Sequence, residues 1–187
     1  ERLAGTVGFA LPGVSLRITD QAGTALPAGE PGIVEVKGPN IFKGYWRMPD
    51  KTKQEFRGDG FFITGDIGAL DEGRRLSLIG RAKDLIIAGG YNIYPKEIET
   101  VLDAIPGVHE SAVIGLPHAD MGEGVAAVLV AEGEPVDGKI IEDALAALAK
   151  FKRPRKLFWV GALPRNAMGK VQKQVLRERY KEAFSRL

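Results

Sequence analysis

Apolar positions in the first 82 residues recur at strand-like spacing. The runs VSLRITD (residues 14–20) and GIVEVKGP (residues 32–39) are separated by the turn-rich segment QAGTALPAGEP, and together they predict a small β-unit. Pro49 to Phe56 predicts a short helix, because proline is favoured in a first helical turn. Residues 61–80 predict a β-hairpin in which the three residues DEG form the turn.

The pattern changes after the polar segment GRAKD (residues 80–84). A helical stripe appears from Pro95 to Ile105, with apolar residues at Ile98, Val101, Leu102 and Ile105. Residues 109–117 and 124–133 predict core strands, and KLFWV (residues 156–160) predicts a third. Two further helices are predicted. One is capped by Asp137 and has the stripe Ile141, Ala144, Leu145 and Leu148; the other runs from Gln172 to Leu187 with the stripe Leu176, Tyr180, Ala183 and Leu187.

These elements predict an α+β protein in two parts. Residues 1–82 form a β-rich subdomain, and residues 83–187 form a small α/β domain with a central mixed sheet flanked by helices. Composition agrees with a globular chain, since 44% of the 187 residues are hydrophobic and 27% are charged. The first residues, ERLAGTVG, contain no initiator methionine, which suggests a fragment of a longer protein.

Cysteine is absent from the sequence, which excludes disulfides and thiolate chemistry. No apolar run reaches the length of a membrane helix and no signal segment is apparent, so we expect a cytoplasmic protein with no membrane partner. Two histidines, His109 and His118, are too few for a histidine-rich metal site.

Positive charge is concentrated at the end of the chain. The net charge is only +2, but residues 150–187 contain twelve lysines and arginines against Glu178 and Glu182. This imbalance suggests an anionic partner, and a solvated helix face is the alternative. The segment KFKRPRK (residues 150–156) adds Phe151 among five cations. Such a pairing suits a nucleotide, but it also suits a loop that touches RNA or DNA, or one that is merely solvated.

Lys170, in the segment LPRNAMGKVQK, does not belong to a phosphate-wrapping P-loop. That motif needs a glycine where Pro164 stands and a serine or threonine where Val171 stands. From spacing alone, Lys170 is a surface lysine or a mobile point charge for an anion. Asp66, in ITGD, is either a turn-stabilising residue or an acceptor for two vicinal hydroxyl groups.

The segment GRAKDLIIAGGYNIYPKEIE (residues 80–99) has two notable features. Arg81, Lys83 and Asp84 form a charge cluster at the point where the pattern changes. The pair Gly89-Gly90 either lets a ligand approach the backbone closely or forms a simple turn before a helix that begins with proline.

Three ordered motifs, ITGD, GRAKDLIIAGGYNIYPKEIE and LPRNAMGKVQK, resemble the adenylate-forming acyl-CoA synthetase superfamily. The likeness covers essentially the whole chain. Within the superfamily, ERLAGTVG, KGPNIFKGYWRMPDKT and LPRNAMGKVQKQVLRERY look most like malonyl-CoA synthetases. Members have a large amino-terminal part that precedes these motifs, so this chain resembles the last subdomain of the large domain followed by the mobile carboxy-terminal domain.

The resemblance implies roles for residues at matching positions. Asp66 and Arg81 would contact the ribose of ATP. Lys83 would be the pivot of the mobile domain, and Lys170 would bridge the ATP phosphate and the acyl carboxylate. For the second half of the reaction, it implies contacts with CoA at Gly90, which would line the pantetheine tunnel, and at Phe151 and Arg153.

The implied reaction converts a carboxylate, ATP and CoA into acyl-CoA, AMP and pyrophosphate through an acyl-AMP intermediate. The implied partners are these small molecules and the amino-terminal remainder of the enzyme, with no nucleic acid. The Mg²⁺ site would lie outside this chain, and the chain contributes no metal ligand. We expect the isolated fragment to be inactive. The alternatives are another acyl- or aryl-CoA ligase, a carrier-dependent adenylation domain, or a non-catalytic anion-binding module.

Overall fold

The computed structural model describes residues 5–185, and the chain divides into two compact units, Glu1–Lys83 and Asp84–Leu187. The assignment of these units to two functional domains, with a pivot at Lys83, stays a prediction. No helix among the described residues is both long enough and apolar enough to cross a membrane.

The first unit is an antiparallel sheet in which the strands are neighbours in chain order. The strands are β1 (Ser15–Thr19), β2 (Gly32–Lys37), β3 (Phe62–Leu70) and β4 (Leu76–Arg81), and helix α1 (Pro49–Glu55) connects β2 to β3. Its buried core is small and centres on Ile18, Val34 and Leu76. Around it, several large apolar side chains remain exposed, namely Val7, Phe9, Leu11, Trp46 and Met48.

A buried carboxylate joins three parts of the first unit. Glu35 is fully buried, and it accepts hydrogen bonds from Arg17 Nε, Arg57 Nε and Thr19 Oγ1 at 2.8, 2.8 and 2.9 Å. Burial opposes ionisation of this group, but the bonds from Arg57, Arg17 and Thr19 outweigh burial and hold the pKa of Glu35 below its ordinary value. Glu35 therefore acts as an ionised crosslink between β1, β2 and the segment that follows α1.

The second unit has a five-stranded mixed sheet. Its strands are β5 (Ile86–Ala88), β6 (Tyr91–Ile93), β7 (Val108–His118), β8 (Gly122–Ala131) and β9 (Lys156–Trp159). The order is β6-β5-β8-β7, and β9 pairs with β8 in parallel. The helices are α2 (Pro95–Leu102), α3 (Gly138–Leu145) and α4 (Lys173–Tyr180). The predicted α+β fold, with a central mixed sheet flanked by helices, is confirmed.

Strand β8 is buried on both faces, which explains its nearly continuous apolar sequence. Val125, Ala127 and Leu129 pack with α2 and α3 on one face, and the alternate residues Ala126 and Val128 pack with Leu176 of α4 on the other. The sheet is thus held between two cores, and α4 is the helix that covers the second face.

Three predicted boundaries were wrong, and one hairpin was not predicted. The loop of the first hairpin covers Asp71–Arg75 rather than DEG alone, because the Asp71 carboxylate accepts from both the backbone N–H and the side chain of Arg75. Helix α2 ends at Leu102, before Pro106 and Gly107, although Ile105 remains in the core. Helix α4 ends at Tyr180 and is followed by turns; Leu187 lies outside the described residues. A hairpin, β5–β6, precedes α2; its turn is the pair Gly89-Gly90, and neither of its strands was predicted.

Candidate functional site

Asp66 and Arg81 face each other across β3 and β4. They are paired in register, and Arg81 Nε lies 2.9 Å from Asp66 Oδ1. Asp66 is half-buried and Arg81 is exposed, so the pair sits at the surface with its carboxylate partly shielded from water. The structure brings together the two residues for which a ribose contact was expected. A carboxylate in this position can accept hydrogen bonds from hydroxyl groups.

A bulge in β3 sets the direction of Asp66. Ile63 pairs with Glu35 and Ile67 pairs with Ile33, so three residues of β3, Thr64 to Asp66, stand opposite one residue of β2. The Thr64 hydroxyl donates to the Val34 carbonyl at 2.9 Å and accepts from the Asp66 N–H at 3.1 Å. Gly65 adopts a φ of 74°, which explains why glycine precedes the aspartate in ITGD.

Lys83 is exposed within a short 3₁₀ turn, Ala82–Asp84. Its neighbour Asp84 is held differently, because Arg177 Nη2 of α4 donates to Asp84 Oδ1 at 2.8 Å. An exposed position is thus followed directly by a residue that is tied to a helix of the second unit. The first residue of the second unit is therefore anchored by its side chain.

Gly90 lies in a two-residue turn between β5 and β6. Ala88 pairs with Tyr91 across the turn, and Gly89 and Gly90 have φ values of 57° and 83°. Positive φ at both central positions is the requirement of a type I′ hairpin turn, which favours glycine. A Cβ atom on Gly90 would meet nothing within 4 Å in the described structure, so only the backbone conformation requires glycine here.

The glycine turn is attached to β8 by two contacts beside the single β5–β8 residue pair. Gly89 N–H donates to the Met121 carbonyl at 2.9 Å, and Ile87 N–H donates to Glu123 Oε2 at 2.8 Å. A side-chain carboxylate thus replaces part of the strand pairing. These contacts fix the turn relative to the central strand.

Phe151 stacks on Tyr91, the residue that follows Gly90. The ring centroids are 4.3 Å apart and the planes are inclined by 18°. Phe151 also packs against the core on the α2–α3 side. The structure therefore places Phe151 beside the Gly90 turn, as one ring of an aromatic pair whose second member, Tyr91, sequence reasoning missed.

Arg153 is already engaged within the second unit. Its Nε donates to the Leu148 carbonyl at 2.9 Å and its Nη2 to the Ala146 carbonyl at 2.7 Å, so it stabilises carbonyl groups that follow α3. The remaining N–H groups of the guanidinium are the ones available for another acceptor. This structural role was not expected from the sequence.

Lys170 lies on a loop that is closed by its own residues. Arg165 and Val171 form a bridge, and Asn166 Oδ1 accepts from the backbone N–H groups of Met168 and Lys170, both at 3.0 Å. Asn166 N–H in turn donates to the Lys170 carbonyl at 2.9 Å. Arg165 anchors the loop further by pairing with Glu110 of β7.

The side chain of Lys170, unlike its backbone, is unconstrained. It is exposed, and its ammonium group has no hydrogen bond or ion pair with any of residues 5–185. The combination of a fixed backbone and a free cation is suited to contacting an anion that this chain does not supply. Over the same described residues, no group of three His, Cys, Asp or Glu side chains could hold a metal ion.

Two family models match the sequence. The model described as AMP-binding enzyme C-terminal domain matches residues 97–170, and the model described as AMP-binding enzyme matches residues 1–46. The second match ends before the Asp66–Arg81 pair, and the first includes the Lys170 loop.

Similar proteins support the same grouping. The crystal structure of ATP-bound MatB from Rhodopseudomonas palustris is 60% identical, with a TM-score of 0.92, over 98% of this chain and 37% of that one. Long-chain-fatty-acid–CoA ligase FadD13 of Mycobacterium tuberculosis is 42% identical over 96% of this chain and 35% of its own length. Malonate–CoA ligase of Arabidopsis thaliana is 40% identical over 95% and 31%. The chain thus spans about a third of the length of these relatives.

Proposed function

Because the chain belongs to the family of AMP-binding enzymes, we propose that it is the carboxy-terminal part of an ATP-dependent acyl-CoA synthetase. In the first half-reaction a carboxylate oxygen attacks the α-phosphorus of ATP, and pyrophosphate leaves. In the second, the sulfur of CoA attacks the acyl carbonyl, its thiol proton is lost, and AMP leaves. The observation that carries the proposal is the free Lys170 ammonium on its self-closed loop.

Lys170 would serve the first half-reaction. The approach of a carboxylate to a triphosphate is opposed by charge repulsion, so the protein must position the reactants and stabilise negative charge. A lysine ammonium supplies that charge and has no acceptor function that could abstract a proton. Asp66 would accept from the ribose hydroxyls of ATP, while Arg81 compensates its charge and extends the contact.

The residues around the glycine turn would serve the second half-reaction. The pantetheine arm of CoA would lie against the backbone of Gly90. The space that a side chain at this position would occupy contains no atom of the described structure within 4 Å of the Cβ position. The Phe151–Tyr91 stack is a flat apolar surface beside it that suits an adenine ring. Arg153 would bind a phosphate only through the guanidinium N–H groups that do not donate to the carbonyls of Ala146 and Leu148.

The exchange between the two half-reactions would occur by rotation at Lys83, a hinge between two functional states. The amino-terminal remainder of the enzyme would supply the acyl pocket, the phosphate site and the ligands of Mg²⁺. The exposed apolar residues of the first unit, Trp46 among them at 84% exposure, support such a partner. A cytoplasmic location stays a prediction from the sequence.

Malonate or methylmalonate is the proposed acid. Three segments of the sequence look most like malonyl-CoA synthetases, and the chain is similar to the plant malonate–CoA ligase. The second candidate is a fatty or aryl acid, favoured by the 42% identity to a long-chain-fatty-acid–CoA ligase.

The test is a panel of carboxylates in ATP–pyrophosphate exchange with the full-length enzyme. Malonate and methylmalonate are expected to give the fastest exchange, and thioester formation with CoA is expected for the same acids. Faster exchange with long-chain or aryl acids would show that malonate and methylmalonate are not the preferred acids. Absence of exchange with every acid would overturn the proposed activity, and exchange catalysed by the 187-residue chain alone would contradict its dependence on the remainder.

A further inference from the structure

Two ion pairs connect helix α4 to other parts of the second unit. Lys173 Nζ lies 2.6 Å from Glu99 Oε1 of α2, and Arg177 Nη2 lies 2.8 Å from Asp84 Oδ1. Lys173 and Arg177 are four residues apart and therefore lie on one side of the helix. The pairs connect α4 to two elements that are distant from it in sequence.

Both ion pairs are shielded from solvent. The four side chains are between 10 and 23% exposed, whereas the pair Lys181–Glu178, which follows on the same chain segment, is 55 and 69% exposed. Ion pairs with little exposure are screened less by salt, and removal of one partner leaves an uncompensated charge. The shielded pairs are thus fixed attachments, and the exposed pair is a natural control.

One attachment lies next to Lys83, the proposed pivot, and the other lies next to the loop of Lys170, the residue that the pivot would displace. Asp84 follows Lys83 directly, and Lys173 begins α4 just after the Lys170 loop. The loop itself is rigid, because Asn166 Oδ1 binds two of its backbone N–H groups. A continuous path of fixed contacts therefore runs from Asp84 through Arg177 and α4 to the backbone of Lys170.

We propose that Asp84, Arg177, Lys173 and Glu99 are positioning residues that make the Lys170 loop and the start of the second unit move as one body. This inference rests on the proposed function. Asp84, which follows the pivot, is bound to Arg177 and cannot rotate independently of α4. A change of backbone conformation at Lys83 would therefore move α4 and, with it, Lys170. None of the four residues touches substrate in this scheme. They act on the reaction only through the placement of Lys170.

The kinetic test uses the full-length enzyme with Asp84→Asn, Arg177→Gln, the double variant and the conservative Arg177→Lys. The control is Lys181→Gln, in the exposed pair. We expect each neutral single variant to slow single-turnover acyl-AMP formation about 10- to 100-fold at saturating substrates, since small misplacement of a reacting group has effects of this size. The KM for ATP should change less than about twofold, because the ribose contacts at Asp66 and Arg81 are untouched and Lys170 acts chiefly on charge that develops in the transition state.

The double variant should be no slower than the slower single variant, because one contact cannot be lost twice. Arg177→Lys should recover most of the rate, and Lys181→Gln should match the wild type. Rates per folded molecule that stay at the wild-type value in Asp84→Asn and Arg177→Gln would overturn the inference, and so would effects of the two that multiply.

A second measurement does not depend on activity. Amide hydrogen exchange of the full-length protein is followed in peptides that cover residues 84–90 and 166–176. Arg177→Gln should raise exchange in both segments, and Lys181→Gln in neither. Unchanged amide hydrogen exchange in both segments would overturn the inference. Faster amide hydrogen exchange in an active enzyme that forms acyl-AMP at the wild-type rate would also overturn it. If the wild type forms no acyl-AMP with any acid but amide hydrogen exchange responds as expected, the proposed function fails. The attachment of the Lys170 loop to the start of the second unit would still be supported.

Discussion

Replacement of Glu99 by alanine should destabilise the second unit far more than replacement of its helix neighbour Glu97. Both glutamates lie in α2 and both pair with a lysine, at 2.6 Å for Glu99–Lys173 and 2.7 Å for Glu97–Lys152. They differ in burial, because Glu99 is 7% exposed as a residue and also accepts from the buried Val113 N–H at 2.9 Å. The comparison therefore sets a buried ion pair that also satisfies a buried backbone N–H against a partly exposed ion pair.

The expected magnitudes follow from the contacts that each variant removes. Glu99→Ala deprives a buried N–H of its acceptor, which costs roughly 1–3 kcal/mol, and leaves Lys173 unpaired. Breaking a buried pair costs roughly 3–5 kcal/mol in total, and we take the lower end, about 3 kcal/mol, because the lysine stem can turn towards water. Glu97→Ala removes a pair that is partly exposed and should cost about 0.2–1 kcal/mol.

Urea unfolding of this chain measures the difference. Trp159 in β9 reports on the second unit once the exposed Trp46 is replaced by phenylalanine in every variant. With a slope of about 2 kcal/mol per molar urea, Glu99→Ala should lower the midpoint by about 1.5 M and Glu97→Ala by less than about 0.5 M. Glu99→Gln, which keeps an acceptor for Val113, should fall between them. Equal midpoint shifts for the two alanine variants would refute the reasoning.

Four further predictions concern the site and the first unit. In the full-length enzyme, Lys170→Ala should reduce acyl-AMP formation about 10²- to 10³-fold while thioester formation from supplied acyl-AMP stays largely intact, and equal loss of both would contradict its role. Lys83→Pro should impair the thioester half far more than pyrophosphate exchange, because a fixed φ prevents rotation; a parallel effect on both halves would argue against a hinge. Gly90→Leu should spare pyrophosphate release and slow the use of CoA, and normal CoA kinetics would remove Gly90 from the tunnel. Since hydrogen bonds outweigh burial and lower the pKa of Glu35, its contribution to stability is present above the ordinary glutamate pKa of about 4.3 and is lost as the pH falls through the lowered value. Glu35→Gln should therefore flatten the decline in urea midpoint of the first unit below about pH 4.3, followed by circular dichroism, and an unchanged slope would exclude this carboxylate as the cause.

Periodicity predicted the elements whose burial is regular. The two long strands and the stripes of α2 and α3 were found because apolar residues recur over several turns or strand repeats. The β5–β6 hairpin was missed because strands of three residues are too short to show alternation, and β5 is attached to β8 partly by the side chain of Glu123. The early end of α4 was missed because the apolar stripe continues at Ala183 after the helix has ended.

The sequence predicted single residues of the candidate site but not the contacts between them. Asp66 and Arg81 were identified separately, but their pairing depends on strand register and on a bulge, which no local pattern encodes. The pairing of Glu99 and Asp84 with the α4 cations was not predicted. Glu99 stands within an apolar stripe and looks solvated until the fold buries it, and Asp84 was noted only as a member of a charge cluster. The local signal that existed was the i, i+4 spacing of Lys173 and Arg177, which marks one helix face but not its partner.

The loop that presents Lys170 has a consequence for the evolution of specificity. Its shape depends on Asn166, on the Arg165–Val171 bridge and on its own backbone, and on no group that would contact the acid. Under the proposed function, selection can therefore reshape the acyl pocket elsewhere in the enzyme without disturbing delivery of the cation. Relatives named for malonate and for long-chain fatty acids, at 40 and 42% identity to this segment, are what such a separable module would produce.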